Sequence, residues 1–387
     1  MTKISKLNEF KPLLAQLQEK LDKRLQEGNL RSLKSQTNLA DFCSNDYLGL
    51  ARNKGLEEII SLKVKELAQP RLGATGSRLI SGTHPYMLKT EAFLAKMWEA
   101  EAALVFNSGY QLNTALLATI PQQGDTILSD QLIHASLREG ARLSFAQRFY
   151  FKHNDLEDLE KKIRKSTGNI FVVIETVYSM DGDKAPIAEM IQICKKYNAH
   201  LIVDEAHSTG VYGKSGEGWL YEHQLHQNIF ARIYTFGKAI GGHGACIVGS
   251  RTLIDYLINF ARAFIYTTAL PLHTWAHIYE AFNYIKANTQ LQKQLKDNIV
   301  RFREALRDLP QLRESDTPIQ VVQIGGNERT KKVALKLQEN GFDVRAVLSP
   351  TVQKGKEIVR ICLHSFNTEE EIQRLCKSIK EQIVSLY

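Results

Sequence analysis

Reactive side chains recur at the ends of short apolar runs along this 387-residue chain. In order they are Asn107-Ser108-Gly109-Tyr110, His134, the stretch from Glu175 to Asp183, Asp204-Glu205-Ala206-His207, and Thr235-Phe236-Gly237-Lys238. An open α/β sheet carries its functional groups at such strand ends. Singly, each has a plain explanation: Asp204 as a helix N-cap, His207 as a satisfied core histidine, Lys238 as one more solvated lysine. GKAIGGHG is what any close approach of backbones would use. Together they suit pyridoxal phosphate. A lysine forms a Schiff base with its aldehyde, and a buried carboxylate keeps its pyridine nitrogen protonated, which makes the ring an electron sink. A glycine-containing turn that opens a helix offers free N–H groups to its phosphate. A metal at Asp204 and His207 lacks a third ligand nearby, so no metal is predicted. The G-x-x-x-x-G-K-S/T phosphate loop is absent. A dehydrogenase reading fails for want of G-x-G-x-x-G after the first strand.

The elements that must position these groups read as alternating strands and helices. Unbroken apolar runs at 102–106, 169–176, 200–207, 231–237 and 244–250 predict buried strands, with helical stretches such as 187–199 between them. That pattern predicts an α/β fold with a mostly parallel central sheet covered on both faces. One long helical stretch over 273–306 leads out of it. Then come PIQVVQIG, the helix RTKKVALKLQENG, FDVRAVL, the strand EIVRICLH and a last helix that opens on a Thr368/Glu371 capping box. The predicted organisation is an N-terminal helical arm (1–50), a large α/β domain (51–285) and a small α+β domain (286–387). In the arm, Leu13, Leu14, Leu17, Leu21 and Leu25 predict an amphipathic helix that stops at Gly28 and Asn29.

Composition narrows the function classes. Apolar content of 43% and charged content of 24% are those of a globular chain. No run approaches the roughly 20 apolar residues that span a bilayer, and the charged N-terminus lacks a signal peptide's apolar core. Cys43, Cys194, Cys246, Cys362 and Cys376 are scattered, which fits reduced thiols and a cytoplasmic location. Lys+Arg number 50 against 42 Asp+Glu, a net charge of +8. The basic residues sit among acidic ones, as in LEDLEKKIRKS, so no nucleic-acid surface is predicted.

From about Arg31 to the end, the sequence resembles the α-oxoamine synthases. The resemblance rests on SNDYLGLARN (44–53), GATGSRLISGTHPYMLKTE (73–91), AALVFNSGYQLN (102–113) and LSDQLIHASLREGA (128–141). It continues through ETVYSMDGDKAPI (175–187), IVDEAHSTGVYGKSGEG (202–218), YTFGKAIGGHGA (234–245), FIYTTALP (264–271) and SPTVQKGKEIVRICL (349–363). It implies a fold-type I pyridoxal-phosphate transferase, aspartate-aminotransferase-like. The implied activity joins an amino acid to an acyl thioester, carried on coenzyme A or acyl carrier protein, with loss of carbon dioxide. GSRLISG and SPTV lean toward L-alanine and a pimeloyl thioester; glycine with acetyl-CoA, or serine with a long acyl chain, are the sister activities. A non-catalytic partner subunit would have no need to keep Lys238, Asp204, His207 and His134.

Residue by residue, the resemblance makes Lys238 the Schiff-base lysine and proton carrier. It makes Asp204 the pyridinium partner, His207 the partner of the ring's phenolic oxygen, and His134 the histidine stacked on the ring. Ser108, Gly109 and Tyr110 would hold the phosphate with Thr235, and Ser179 would touch the cofactor. Glu175 would lie beside it and support Asn45 or the substrate carboxylate. Thr267 or Thr268 would reach the phosphate in the neighbouring subunit, which implies a homodimer. Arg360 would pair with the amino acid's carboxylate, with Asn45 and Ser77 lining that pocket; Arg31 and Thr351 would touch the acyl donor. Two departures stand out: a shortened segment between Arg31 and Asn45, and bulky His243 in the glycine-rich turn.

Overall fold

The computed structural model describes residues 11–33, 38–67 and 72–384. After a two-residue strand, β1 (Ala40–Asp41), seven strands build one sheet. They are β2 (Ala102–Phe106), β3 (Thr126–Asp130), β4 (Gln147–Phe151), β5 (Ile170–Glu175), β6 (His200–Asp204), β7 (Ala231–Thr235) and β8 (Ala245–Gly249). Their order is β2-β8-β7-β6-β5-β3-β4, parallel throughout except that β8 runs against both its neighbours. The exception has a simple cause. Only residues 236–244 join β7 to β8, fewer than the dozen or so that a parallel crossover needs. The chain therefore turns straight back, and the ends of β2, β3, β5, β6 and β7 all open on the side where that turn lies.

Every residue of β2, β3, β5 and β7 is buried, as expected of a parallel sheet with helices on both faces. The five predicted strands are β2, at its predicted bounds, and β5, β6, β7 and β8 with trimmed ends; β3 and β4 are additional. β4, QRFYF, is an edge strand with four of five residues exposed, and its one apolar run, 149–151, is too short to read as a strand by itself. β3, TILSD, buries polar residues whose partners are distant in sequence: Thr126 Oγ1 donates to the Thr167 carbonyl at 2.8 Å, and Asp130 meets His153 at 2.9 Å.

Beyond the large sheet, β9 (Ile319–Gln323), β10 (Phe342–Asp343), β11 (Arg345–Val347) and β12 (Ile358–Cys362) complete the strands. β12 lies between β11 and β9, antiparallel to both, while β1 pairs in parallel with β10. The single helical stretch predicted before them is two helices, Leu272–Ala287 and Gln290–Ala305. Asn288 interrupts it: its backbone leaves the helix at φ −126°, ψ 56°, and its side-chain amide donates to the Tyr284 carbonyl at 2.8 Å. Asparagine competes with helical backbone in this way.

The predicted amphipathic helix is present at Lys11–Gln26, and Gly28 ends it at φ +67°. None of its leucines is buried among the described residues, however: Leu13, Leu14, Leu17, Leu21 and Leu25 are 47–63% exposed. The last helix, Glu369–Val384, opens on the predicted capping box: Glu371 N donates to Thr368 Oγ1 at 3.2 Å, and Thr368 N to Glu371 Oε2 at 2.9 Å. Replacing Thr368 with alanine is expected to cost about 1 kcal/mol, measurable as a lower urea midpoint with an unchanged slope.

Glu205, behind β6, is fully buried; its Oε1 accepts from Thr176 Oγ1 and Leu220 N, both at 2.9 Å. Burial outweighs these hydrogen bonds and pushes its carboxyl up to about 7 from 4.5. The unfolded chain therefore releases this proton first, so stability falls as pH rises from 4.5 to about 7. Glu205→Gln is expected to flatten thermal stability across that window. An unchanged pH profile would count against the shift.

Candidate active site

The strand ends meet around a cavity of about 240 Å³ lined by Lys238, Asp204, His207, His134 and Tyr110 among others. β2 ends at Phe106, and Ser108 caps the helix Gly109–Thr119 by accepting from Gln111 N at 3.2 Å. The first-turn N–H groups of Gly109 and Tyr110 have no partner within that helix, and the helix dipole makes this end favourable for an anion. Gly109 is required sterically: a Cβ here would come within 2.7 Å of Thr235 Cγ2 at the end of β7.

One turn further along the same helix, Asn113 donates to Asp204 Oδ2 at 2.8 Å and to Ser136 Oγ at 3.0 Å. Asp204 is 4% exposed and its Oδ1 accepts from Ala206 N at 2.9 Å, a local turn rather than the helix cap its sequence also allowed. The parallel register sets Glu175 of β5 beside Asp204 of β6. Burial and then the Asp204 charge push the Glu175 carboxyl up to about 8. Glu175 accepts from His134 N rather than from Asn45.

His207 is buried, with Nδ1 2.7 Å from the Tyr47 hydroxyl. Burial, then the charge of Lys238, holds its imidazolium form well below the usual histidine range, so the ring is neutral. His134 is lowered in the same way by burial, against an opposing pull from Asp204. Burial also lowers the Lys238 ammonium; Asp204 and Glu175 oppose that, and Arg360 adds to it. Tyr47 continues the network by donating to Asn45 Oδ1 at 3.1 Å, which also accepts from Arg360 Nη2 at 3.0 Å. Arg360 Nε donates to the Ser179 carbonyl at 2.8 Å.

A second cavity of about 990 Å³ shares His134 as a wall and is lined by Ser179, Arg31 and Thr351. Arg31 Nη2 lies 3.5 Å from Thr351 Oγ1, so the two side chains predicted to meet an acyl donor are neighbours. Three of the predicted residues lie elsewhere. Ser77 and Thr268 form an isolated antiparallel bridge, and Thr267 Oγ1 accepts from Gln111 Nε2 at 2.7 Å. None of the three lines the cavity of Lys238. His243 is exposed and lines its mouth. Sequence reasoning missed Tyr47, Asn113 and Ser136. Asn113 was legible as the residue one helical turn from Gly109; Tyr47 and Ser136 gave no separate signal.

The donor set fits pyridoxal phosphate. It offers a helix N-terminus narrowed by Gly109, a buried carboxylate held by two donors, an amine and an imidazole around one cavity. Asn113 Oδ1 is buried there without a hydrogen-bond partner among the described residues. The chain belongs to the aminotransferase class I and II family, whose model matches residues 37–379. Its relatives narrow that class to the α-oxoamine synthases. The 8-amino-7-oxononanoate synthase of Emericella nidulans is 38% identical over 88% of each chain. The solved 8-amino-7-oxononanoate synthase of Francisella tularensis is 30% identical with a TM-score of 0.78, over 90% of this chain and 99% of that one. The serine palmitoyltransferase of Sphingomonas wittichii superposes with a TM-score of 0.86 over 98% of both chains at 25% identity. No described helix is long and apolar enough to cross a membrane.

Proposed function

We propose that this chain is a pyridoxal-phosphate-dependent 8-amino-7-oxononanoate synthase of biotin biosynthesis, acting in the cytoplasm as a homodimer. It would join L-alanine to a pimeloyl thioester. The observation that carries the reading is the 38% identity to such an enzyme over 88% of both chains. Lys238, Asp204, His207 and Asn45 lining one cavity, with Arg360 bonded to Asn45, supports it.

In the reaction a bond forms between alanine Cα and the thioester carbonyl carbon. The C–S bond and the Cα–carboxylate bond break, releasing the thiol and carbon dioxide. Pyridoxal phosphate, when bound, supplies the electron sink for negative charge left at Cα. The chain's own residues do the rest. Lys238 Nζ takes the Cα proton and returns one to Cα after carbon dioxide leaves, and its lowered ammonium pKa makes the free amine accessible. Asp204 holds the ring-nitrogen proton in place. Neutral His207 would hydrogen-bond the phenolic oxygen, and His134, which walls both cavities, would stand between the cofactor and the thioester. Arg360 pairs with the alanine carboxylate and fixes the direction of the bonds at Cα. The second cavity, with Arg31 and Thr351 at its wall, receives the thioester.

Exposed Ile80 and Tyr266, at 85% and 77%, flank the Ser77–Thr268 bridge and support a second copy covering that face. Thr267 or Thr268 would then face the partner's cofactor. The test offers alanine, glycine and serine against pimeloyl, acetyl and palmitoyl thioesters while thiol release and product mass are followed. Alanine with the pimeloyl thioester is expected to be fastest. Preference for serine with the palmitoyl thioester, or for glycine with the acetyl one, overturns the substrate assignment.

A further inference from the structure

We propose that His153 is a positioning residue for the amino acid's carboxylate, acting on Arg360 through the turn 177–184. The inference rests on the reading of Arg360 as the carboxylate's partner. His153 follows β4 and lies between two carboxylates: Nδ1 is 2.9 Å from Asp130 Oδ1, and Nε2 is 2.6 Å from Asp183 Oδ2. Carboxylates only accept, so both ring nitrogens must donate and the ring must be an imidazolium. Burial opposes that charge, but the hydrogen bonds and charges of Asp130 and Asp183 outweigh it and raise the ring to about 10.

Each carboxylate belongs to a different part of the site. Asp130 ends β3 and accepts from Leu132 N at 2.7 Å, in the turn that delivers His134. Asp183 belongs to a closed turn: Tyr178 N donates to its carbonyl at 2.9 Å, and Val177 bridges Lys184. Asn154 reinforces the grip, donating from Nδ2 to Asp183 Oδ2 at 3.0 Å and to the Lys184 carbonyl at 3.1 Å. The edge of the His153–Tyr178 ring pair closes to 4.5 Å between centroids at 87°. Ser179 is the residue carried between these two fixed arms, and its carbonyl is what Arg360 Nε donates to at 2.8 Å.

The Arg360 guanidinium donates to the Ser179 carbonyl, to Asn45 Oδ1 at 3.0 Å and to Cys362 Sγ at 3.0 Å, with the Tyr47 hydroxyl also beside it. The Ser179 carbonyl lies on the turn that a charged ring anchored in the large sheet grips. Ser315 and Thr317 also hold the Gly182 carbonyl, at 2.9 and 3.0 Å, so the turn keeps its overall place without His153. What His153 adds is the angle at which the Ser179 carbonyl meets the guanidinium, hence the aim of its remaining N–H groups.

The test is a binding titration on the pyridoxal-phosphate-loaded full chain without thioester, followed by the cofactor's absorbance. His153→Gln is expected to weaken alanine about tenfold while leaving ethylamine, which has no carboxylate, within about twofold. In a double-mutant cycle, His153→Gln is expected to add nothing to Arg360→Lys, because residues acting as a unit are non-additive. In steady state kcat/KM for the amino acid should fall by at least the same factor. Equal weakening of alanine and ethylamine, full additivity, or no weakening would each overturn the proposal. Should His153→Gln fail to fold, Asp183→Asn carries the same expectations and leaves the His153–Asp130 pair intact. The titration needs no pimeloyl thioester, so a different acyl donor leaves it readable. If alanine does not bind the parent chain, glycine or serine takes its place, and the alanine assignment alone is lost.

Discussion

Lys238→Ala is expected to lower turnover by roughly 10⁴-fold or more, combining loss of the proton carrier with loss of the covalent tether. The lysine leaves β7 after Thr235 in the turn that leads directly into β8. Burial pushes its ammonium down while Asp204 and Glu175 pull it up, and all three residues line one cavity. Borohydride reduction followed by peptide mass spectrometry should attach the cofactor to residue 238 in the parent chain and nowhere in the variant. Thermal denaturation should be little changed, because no packing core depends on this side chain. Turnover within a hundredfold of the parent would remove Lys238 from its assigned role.

Asp204→Asn is expected to lower kcat/KM by roughly 10²–10⁴-fold, the range that corresponds to breaking a buried ion pair worth about 3–5 kcal/mol. The substitution keeps shape and lets Oδ1 go on accepting from Ala206 N. Asn113 can turn its amide to answer the new NH₂ group, since its own Oδ1 has no partner among the described residues. The fold should therefore persist while the charge proposed to hold the cofactor's ring-nitrogen proton is lost. Steady-state kinetics on the loaded enzyme, with cofactor content measured in parallel, separates lost charge from lost binding. A rate within tenfold of the parent would deny Asp204 the charge-holding role.

Legibility in the sequence followed burial. β2, β5, β6, β7 and β8 were readable because a strand buried on both faces is an unbroken apolar run. β4 was not, because its exposed edge position puts no pressure on its residues to be apolar. β3 was not, because its polar residues are satisfied by Thr167 and His153, partners that only the folded chain brings near. The reactive residues were legible as strand-end groups. The network joining them was not: Tyr47 reaches His207 across 160 positions, and Asn45 meets Arg360 across 315. The Lys11–Gln26 helix was legible from its leucine spacing, but spacing cannot say that the stripe faces away from its own chain.

The antiparallel placement of β8 has a consequence for chain synthesis. β8 lies between β2 and β7, so the first and last strands of the large sheet are hydrogen-bonded neighbours. The helix start after β2 and the lysine turn before β8 become one wall only when that late strand slots in. A nascent chain that has not yet released residue 249 from the ribosome has Ser108, Gly109 and Asp204 but no closed seam beside them. The first wall of the site and the last are thus made about 130 residues apart in the chain and joined by the final strand of the sheet.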